Sequence, residues 1–434
     1  MRLFLVTKEV HMSSAELSSN RWLPQLREHL KRERYSAKAA KRYVAVVDAF
    51  LRFLKSRRVA VESAETKHIA QYLQHALRLY RRHNGRSPKS FDPSKPFYWW
   101  RHSHTTAIKM LLRLVHGQRV PVPTPRTSTE LFHREVCQQY ERWMHDVRGL
   151  VPETMRGRSA EARRFLFWLG ERGNRQQLAC ITTSDIDKYQ MRQPSSQRRV
   201  TLKRRATELR CFLRFLYATG RIPCDLAASV VSPTVYAFEN IPSALRPEEV
   251  VAILKAAHKD HSPRGRRDYA ILMLLATYGL RAGEVTSLRL ANIDWRNERL
   301  RIRHSKTGGH LELPLFPWVG NAILDYLQKG RPKTEAREVF IRTCAPYRRL
   351  RNGSVLHRIL HKRLVAAGVS PQGKRGPHAF RHAIAVSMLR AAVPAKEIGD
   401  VLGHRSAAST TPYLKLATED LRRVALEIPA EVQA

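Results

Sequence analysis

Cationic and imidazole side chains are spaced through the C-terminal part of the chain in settings that suit phosphate chemistry. Arg281 follows Gly279, a residue suited to the left-handed turn that closes a helix, and Glu284 is placed to hold the Arg281 guanidinium. His378 and Arg381 are three residues apart at the start of a predicted helix. This spacing puts both side chains on one face, where both can approach a single phosphate.

Three further residues extend this set. Lys306 lies between two segments that alternate with period two, Leu300–His304 and Leu311–Leu315. We expect a β-hairpin that carries Lys306 at a tip able to reach into a DNA groove. His404 follows a short predicted helix, and Tyr413 comes nine residues later. Each residue alone would more often be an ordinary structural or surface side chain, and it is their joint occurrence that indicates a site.

Two proline-rich breaks divide the elements that must position these residues. They run from Pro121 to Pro125 and from Pro233 to Pro247, and proline both removes a backbone donor and restricts the residue before it. The predicted organisation is a loose tail over residues 1–20 followed by units at 20–120, 129–232 and 243–428.

The first two units resemble each other, which indicates an internal repeat. An apolar cluster, Phe50–Leu54 in one unit and Phe165–Leu169 in the other, precedes a turn with basic residues and then a further helix. The helical spacing of these clusters predicts core packing rather than a cofactor site. We therefore expect two four-helix modules ahead of the third unit.

The chain carries a large excess of positive charge. It has 434 residues, with 78 Lys and Arg against 37 Asp and Glu and a formal net charge of +41. Self-repulsion of this size favours a polyanionic partner, and the spread of basic residues along the chain favours nucleic acid over a membrane. In the second unit, the scarcity of interleaved acidic residues favours phosphate contact by one group of side chains. These are Arg156, Arg158, Arg198, Arg199, Lys203, Arg204 and Arg205.

Cysteine spacing and hydropathy exclude other classes of protein. The five cysteines show neither the spacing of a zinc site nor an even disulfide framework. Met1–Val6 is too short for a signal-peptide core, and no apolar run approaches the roughly 20 residues that span a bilayer. We expect a cytoplasmic protein associated with the bacterial nucleoid, without a metal or another cofactor.

The residues of the C-terminal unit resemble the active site of the tyrosine recombinase family, which includes the phage integrases and the Xer and Cre recombinases. The likeness covers residues 243–428 and, more loosely, 129–232, which look like the family's helical core-binding domain. It implies a mainly α fold with SAM-like helical modules and a small β-sheet in the catalytic domain. The unit at 20–120 is additional to the minimal pattern and suggests a longer recombinase of a transposon or other mobile element.

The resemblance also implies residue roles. Arg281, Lys306, His378, Arg381 and His404 match catalytic residues, and Tyr413 matches the nucleophile, with Pro412 replacing an often longer or polar residue. The arginines and His404 would stabilise the transition state, His378 would move the tyrosine proton, and Lys306 would protonate the departing 5′ oxygen. The product would be a 3′-phosphotyrosyl bond, made and reversed without metal or ATP.

The same resemblance implies partners and an assembly. Double-stranded DNA at specific recombination sites would be exchanged through a Holliday junction by a homo-tetramer, for integration, excision or transposition. The resemblance leaves open whether the reaction also uses an accessory protein or a partner recombinase. The segment Leu421–Ile428 would either dock on a neighbouring subunit or cap its own domain.

Two alternatives are weighed against this function. A type IB topoisomerase uses a comparable Arg, Lys, His and Tyr set to nick and reseal one duplex, but two helical modules suited to site recognition favour a recombinase. A non-catalytic DNA-binding protein with a decayed site would be expected to lack a charged residue of the set, and all six positions are occupied.

Overall fold

The computed structural model describes residues 14–89, 97–117, 125–192, 196–236, 244–304, 309–350, 353–371 and 375–403, with side chains from residue 21 onward. The described residues form fifteen α-helices and one three-stranded sheet. The predicted fold class, mainly α with a small sheet, is therefore confirmed. No described helix combines the length and the apolar character needed to cross a membrane.

The first helical unit has its own hydrophobic core. Its helices are α1 (Ser14–Arg32), α2 (Ala37–Ser56), α3 (Thr66–Asn84) and α4 (Tyr98–Val115). Helix α1 starts at Ser14, inside the segment expected to be a loose tail. The reason is that Trp22, Leu26 and Leu30 recur at helical spacing on a buried face, and the helix that carries them extends toward the N-terminus.

The second helical unit is built around a cluster of aromatic side chains. Its helices are α5 (Ser128–Asp146), α6 (Pro152–Leu169), α7 (Thr183–Met191) and α8 (Arg199–Ala218). Tyr140, Phe165, Phe212 and Phe215 are fully buried within it, and their rings lie edge-on, tilted or stacked against one another. The predicted core role of the Phe165–Leu169 cluster is confirmed for its buried members, whereas Phe167 faces solvent.

The C-terminal unit combines helices with the sheet. Its elements are α9 (Pro247–His258), α10 (Pro263–Tyr278), α11 (Ala282–Ser287), β1 (Ile293–Asp294), β2 (Arg299–Arg303), β3 (His310–Pro314), α12 (Pro317–Lys329), α13 (Ser354–Ala366), α14 (His378–Arg390) and α15 (Ala395–Leu402). The strands pair antiparallel in the order β1-β2-β3, with Leu300 opposite Leu313 and Arg303 opposite His310. The predicted hairpin strands are thus present.

Helix α10 is the scaffold of this unit. It packs against α9, α12 and α14 and begins at an N-cap where the Ser262 side chain accepts from the backbone N–H of Gly265. It ends as predicted at Gly279, which has φ 61°. A Cβ at Gly279 would lie 3.0 Å from Leu402 Cδ2, so the turn after α10 packs closely on the end of α15.

The described residues group into two compact units, one from 125 to 236 and one that joins the residues up to 117 with those from 244 onward. In the joined unit, Arg34 Nη1 donates to the Lys333 carbonyl over 2.7 Å, and Glu33 pairs with Arg348 at 2.6 Å. The described residues of 20–120 and of 243–428 nevertheless have separate cores. The three-unit division stays a prediction.

Candidate active site

The turn between α10 and α11 holds Arg281 against a buried carboxylate. The Arg281 backbone N–H donates to Glu284 Oε2 over 2.8 Å, and its Nη1 donates to Glu284 Oε1 over 2.9 Å. The Glu284 side chain is fully buried and that of Arg281 is 17% exposed. The predicted contact between these residues is therefore present, and it fixes one end of the guanidinium.

Glu284 has a second side-chain partner, His304, whose Nδ1 lies 2.9 Å from Oε1. Burial by itself raises the pKa of Glu284, but the hydrogen bonds from His304 and Arg281 outweigh burial and lower the pKa overall. The carboxylate is therefore ionised near neutral pH. Because an ionised carboxylate only accepts hydrogen bonds, His304 Nδ1 must carry the donated proton.

Arg381 is buried on α14, with only 4% of the residue exposed. Its Nη1 donates to the carbonyl of Gly279 over 2.9 Å, and its Nη2 donates to the carbonyl of Leu402. One guanidinium thus connects α14 to the C-terminal ends of α10 and α15. A planar group with five donors suits this bridging role.

The two arginines meet at the end of α15. Arg281 Nη2 donates to the Gly403 carbonyl over 2.9 Å, and Arg381 donates to the carbonyl of the residue before it, Leu402. The Glu284 carboxylate, which pairs with Arg281, and the negative end of the α15 dipole offset these two permanent positive charges. The next residue along the chain is His404.

Of the four remaining predicted catalytic residues, only His378 lies within the described part of the chain. His378 is exposed at the first position of α14, and its ring stacks on that of His382 with 6.2 Å between centroids. It lies one helical turn before the buried Arg381, so the two residues share a face at different depths. Lys306, His404 and Tyr413 lie outside the described residues.

Five of the seven predicted DNA-contacting side chains are exposed, namely Arg156, Arg198, Arg199, Lys203 and Arg204, and Arg158 is half-buried. Arg156, Arg158 and Arg204 line one groove together with residues of α6 and α8. Arg198, Arg199 and Lys203 cluster where α8 begins. The second unit therefore presents two groups of basic side chains.

Arg205, the seventh side chain predicted to contact DNA, pairs with a buried carboxylate. Its side chain is only 12% exposed, and its Nε lies 3.1 Å from the fully buried Glu161. The expectation that few acidic residues offset these arginines was wrong in part, because Glu208 pairs with Arg204 and Glu153 with Arg156. The acidic residues are few, but they lie one helical turn away or on a facing helix.

His304, the partner of Glu284, was not singled out from the sequence. Leu300, Ile302 and His304 are all buried, which is the period-two pattern by which the hairpin was predicted. The predicted segment Leu300–His304 therefore already placed an imidazole on the buried face, where a polar group requires a partner. The signal was thus present in the sequence, although the identity of the partner was not.

Comparison with known proteins decides the family. The model described as "Phage integrase family" matches residues 243–420, and "Phage integrase, N-terminal SAM-like domain" matches residues 22–91. The integrase/recombinase y4gC of Sinorhizobium fredii is 58% identical over 195 residues, covering 45% of this chain and 100% of that protein. Its y4rA is 37% identical over 297 residues, covering 68% and 71%. The chain belongs to the phage integrase family of tyrosine recombinases.

Solved structures of other recombinases share the fold. XerH bound to a palindromic difH substrate has a TM-score of 0.54 at 13% identity, covering 68% of this chain and 87% of that chain. A λ integrase tetramer bound to a Holliday junction has a TM-score of 0.51 at 18% identity, covering 72% and 86%. The SAM-like match falls on the first helical unit, which the sequence alone had placed outside the family's minimal pattern.

Membership of this family makes the recombinase an enzyme of site-specific DNA recombination, which cleaves and rejoins DNA strands. Neither the topoisomerase alternative nor the non-catalytic one is favoured by these relatives.

Proposed function

We propose that Arg281 and Arg381 together hold the non-bridging oxygens of the scissile phosphate. The observation that carries this assignment is that they donate to consecutive carbonyls, those of Gly403 and Leu402. Guanidiniums anchored on neighbouring peptide groups are pre-positioned side by side, so little reorganisation is needed when charge develops on the phosphoryl oxygens.

The other predicted residues then complete the reaction. Tyr413 forms the new bond to phosphorus through its phenolic oxygen, the bond to the 5′ oxygen breaks, and His378 takes the phenolic proton. Lys306 protonates the 5′ oxygen, and His404 donates to the phosphoryl group. A 5′ hydroxyl from a partner strand reverses these steps, which converts cleavage into exchange.

The substrate is double-stranded DNA carrying a specific recombination site, and the enzyme acts as a homo-tetramer at the bacterial nucleoid. Support for the assembly comes from the λ integrase structure, which is a tetramer bound to a Holliday junction. Support for a duplex site comes from XerH, which is bound to its difH substrate. The net charge of +41 fits a multi-subunit contact with DNA phosphates.

Adduct capture tests the site-specific function. The full chain is incubated with sheared DNA from the region around its own gene, the reaction is stopped with SDS, and DNA bound covalently to protein is sequenced. We expect the trapped fragments to share one short sequence. Fragments without a common sequence, together with relaxation of plasmids that lack it, would contradict site specificity and favour a topoisomerase.

The first helical unit also carries a basic surface, which is formed by the end of α3 and the start of α4. The rings of Tyr80 and Trp100 lie 6.4 Å apart and hold these ends together. Neither helix contains Asp or Glu, and Trp99 is 60% exposed among basic neighbours. The exposed basic residues are Arg78, Arg81, Arg82, Arg86, Lys89 and Arg101. We propose this α3–α4 surface as the DNA contact of the first unit.

Neutralising this surface should weaken DNA binding in a salt-dependent manner. Arg82→Ala is expected to lower the slope of log affinity against log salt concentration by about 1, because one phosphate contact releases about one counterion. Fluorescence anisotropy over a salt series measures the slope. The matched control is Arg52→Ala on α2, an exposed arginine already paired with Asp48 at 3.0 Å. Equal slopes for Arg82→Ala and the unmodified chain would remove this surface from the interface.

A further inference from the structure

We propose that His304 is a positioning residue for the cleavage reaction, acting on Arg281 through Glu284 and through the Gly403 turn. This inference rests on the proposed role of Arg281. It extends to the residue directly after strand β2, which has no role among the six predicted catalytic positions.

The first observation is where His304 lies. Its backbone N–H donates to the Gly309 carbonyl over 2.8 Å, which pairs the two residues that flank positions 305–308. Its side chain is only 9% exposed and points to Glu284, 2.9 Å away. A single residue therefore links the base of the Lys306 hairpin to the carboxylate that holds Arg281.

The second observation is the contact between His304 and Gly403. A Cβ added at Gly403 would lie 2.4 Å from His304 Cε1 and 2.4 Å from Nε2, a distance that no side chain could occupy without displacing the ring. The imidazole thus lies directly against the backbone of Gly403. The Gly403 carbonyl is also the acceptor of Arg281 Nη2, and His404 follows it.

Through these contacts the imidazole holds in place the two groups that bind the Arg281 guanidinium, one at each end. Nδ1 restrains Glu284, which binds Nη1, and the ring lies against the Gly403 backbone, whose carbonyl binds Nη2. Without the imidazole, Glu284 and Arg281 can still pair, but the carboxylate and the turn can shift. A displacement of about 1 Å at a reacting centre costs on the order of 10²-fold in rate.

The test compares adduct formation on two versions of a nicked suicide duplex. One has a normal scissile phosphate, and the other has a methylphosphonate there, in which a methyl group replaces a charged oxygen. His304→Leu should slow cleavage of the phosphate about 10²-fold and cleavage of the methylphosphonate much less, because less charge needs neutralising. His304→Asn, which keeps a donor near the Nδ1 position, should recover a large part of the rate, and DNA affinity should not change.

Two controls separate positioning from loss of folding. Ile302→Ala empties a fully buried site on strand β2, two residues before His304, and any loss of rate should be the same for both substrates. In the Arg281→Ala background, His304→Leu should add little further loss, because both changes act on one guanidinium. Equal losses on both substrates, or fully additive losses, would overturn the inference.

The outcome also distinguishes this inference from the proposed function. Full cleavage by Arg281→Ala would overturn the role of Arg281 and the inference with it. A slow Arg281→Ala enzyme together with a fully active His304→Leu enzyme would leave the proposed function standing and overturn only the role of His304.

Discussion

Tyr413→Phe is expected to abolish the covalent protein–DNA adduct on a nicked suicide duplex. Phenylalanine has no oxygen to form the phosphotyrosyl bond, and loss of a nucleophile costs on the order of 10⁴-fold or more in rate. The ring is retained, so binding to uncut duplex should be unchanged. Denaturing gel electrophoresis of radiolabelled DNA measures the adduct, and mass spectrometry of the digested adduct identifies the linked residue.

The matched control is Tyr347→Phe, the same substitution within the C-terminal unit. The Tyr347 ring packs under the Arg34 guanidinium at 5.6 Å, and this contact needs no hydroxyl. Full adduct formation is expected from this variant. An adduct that persisted in Tyr413→Phe would place the nucleophile on another residue, which the digested peptide would then identify.

Short-range features of the C-terminal unit could be predicted from sequence. The end of α10 at Gly279 and the two strands around Lys306 depend on neighbouring residues, through a left-handed glycine and period-two alternation. The spacing between Arg281 and Glu284 also determines their contact, since three residues span one turn. Local geometry of this kind is contained in the sequence pattern.

Contacts between distant segments could not be predicted in the same way. Arg281 and Gly403 are 122 residues apart, and Arg205 and Glu161 are 44 apart. Charge density indicates that an arginine is available for DNA, but only the packing of α6 against α8 shows that Arg205 points to a buried glutamate. The same limit applies to His304, whose burial followed from alternation while its contact with Gly403 required the fold.

Arg381 is expected to serve both the fold and the reaction, and two substitutions separate these roles. Arg381→Ala removes the donor from the carbonyls of Gly279 and Leu402. We expect it to lower the free energy of unfolding by about 2–6 kcal/mol, since each of the two carbonyls left unsatisfied costs about 1–3 kcal/mol. Thermal unfolding followed by circular dichroism measures this loss.

Arg381→Lys keeps the charge but not the planar fork. An ammonium group cannot reach both carbonyls and also hold a phosphoryl oxygen with the geometry of a guanidinium. We therefore expect a smaller loss of stability than in Arg381→Ala, with adduct formation still slowed on the order of 10²–10³-fold, as for removal of one transition-state donor.

The control for buried arginines in general is Arg363→Lys. Arg363 is equally buried in the same unit, but it pairs with Asp260 at 2.8 Å and Asp268 at 3.1 Å, away from the α15 turn. The Arg363→Lys enzyme should be less stable than the unmodified enzyme, but it should cleave DNA at the unmodified rate at a temperature where it is folded. If Arg381→Lys behaved in the same way, Arg381 would only connect helices, and Arg281 would be left to neutralise the phosphate without a second guanidinium beside it.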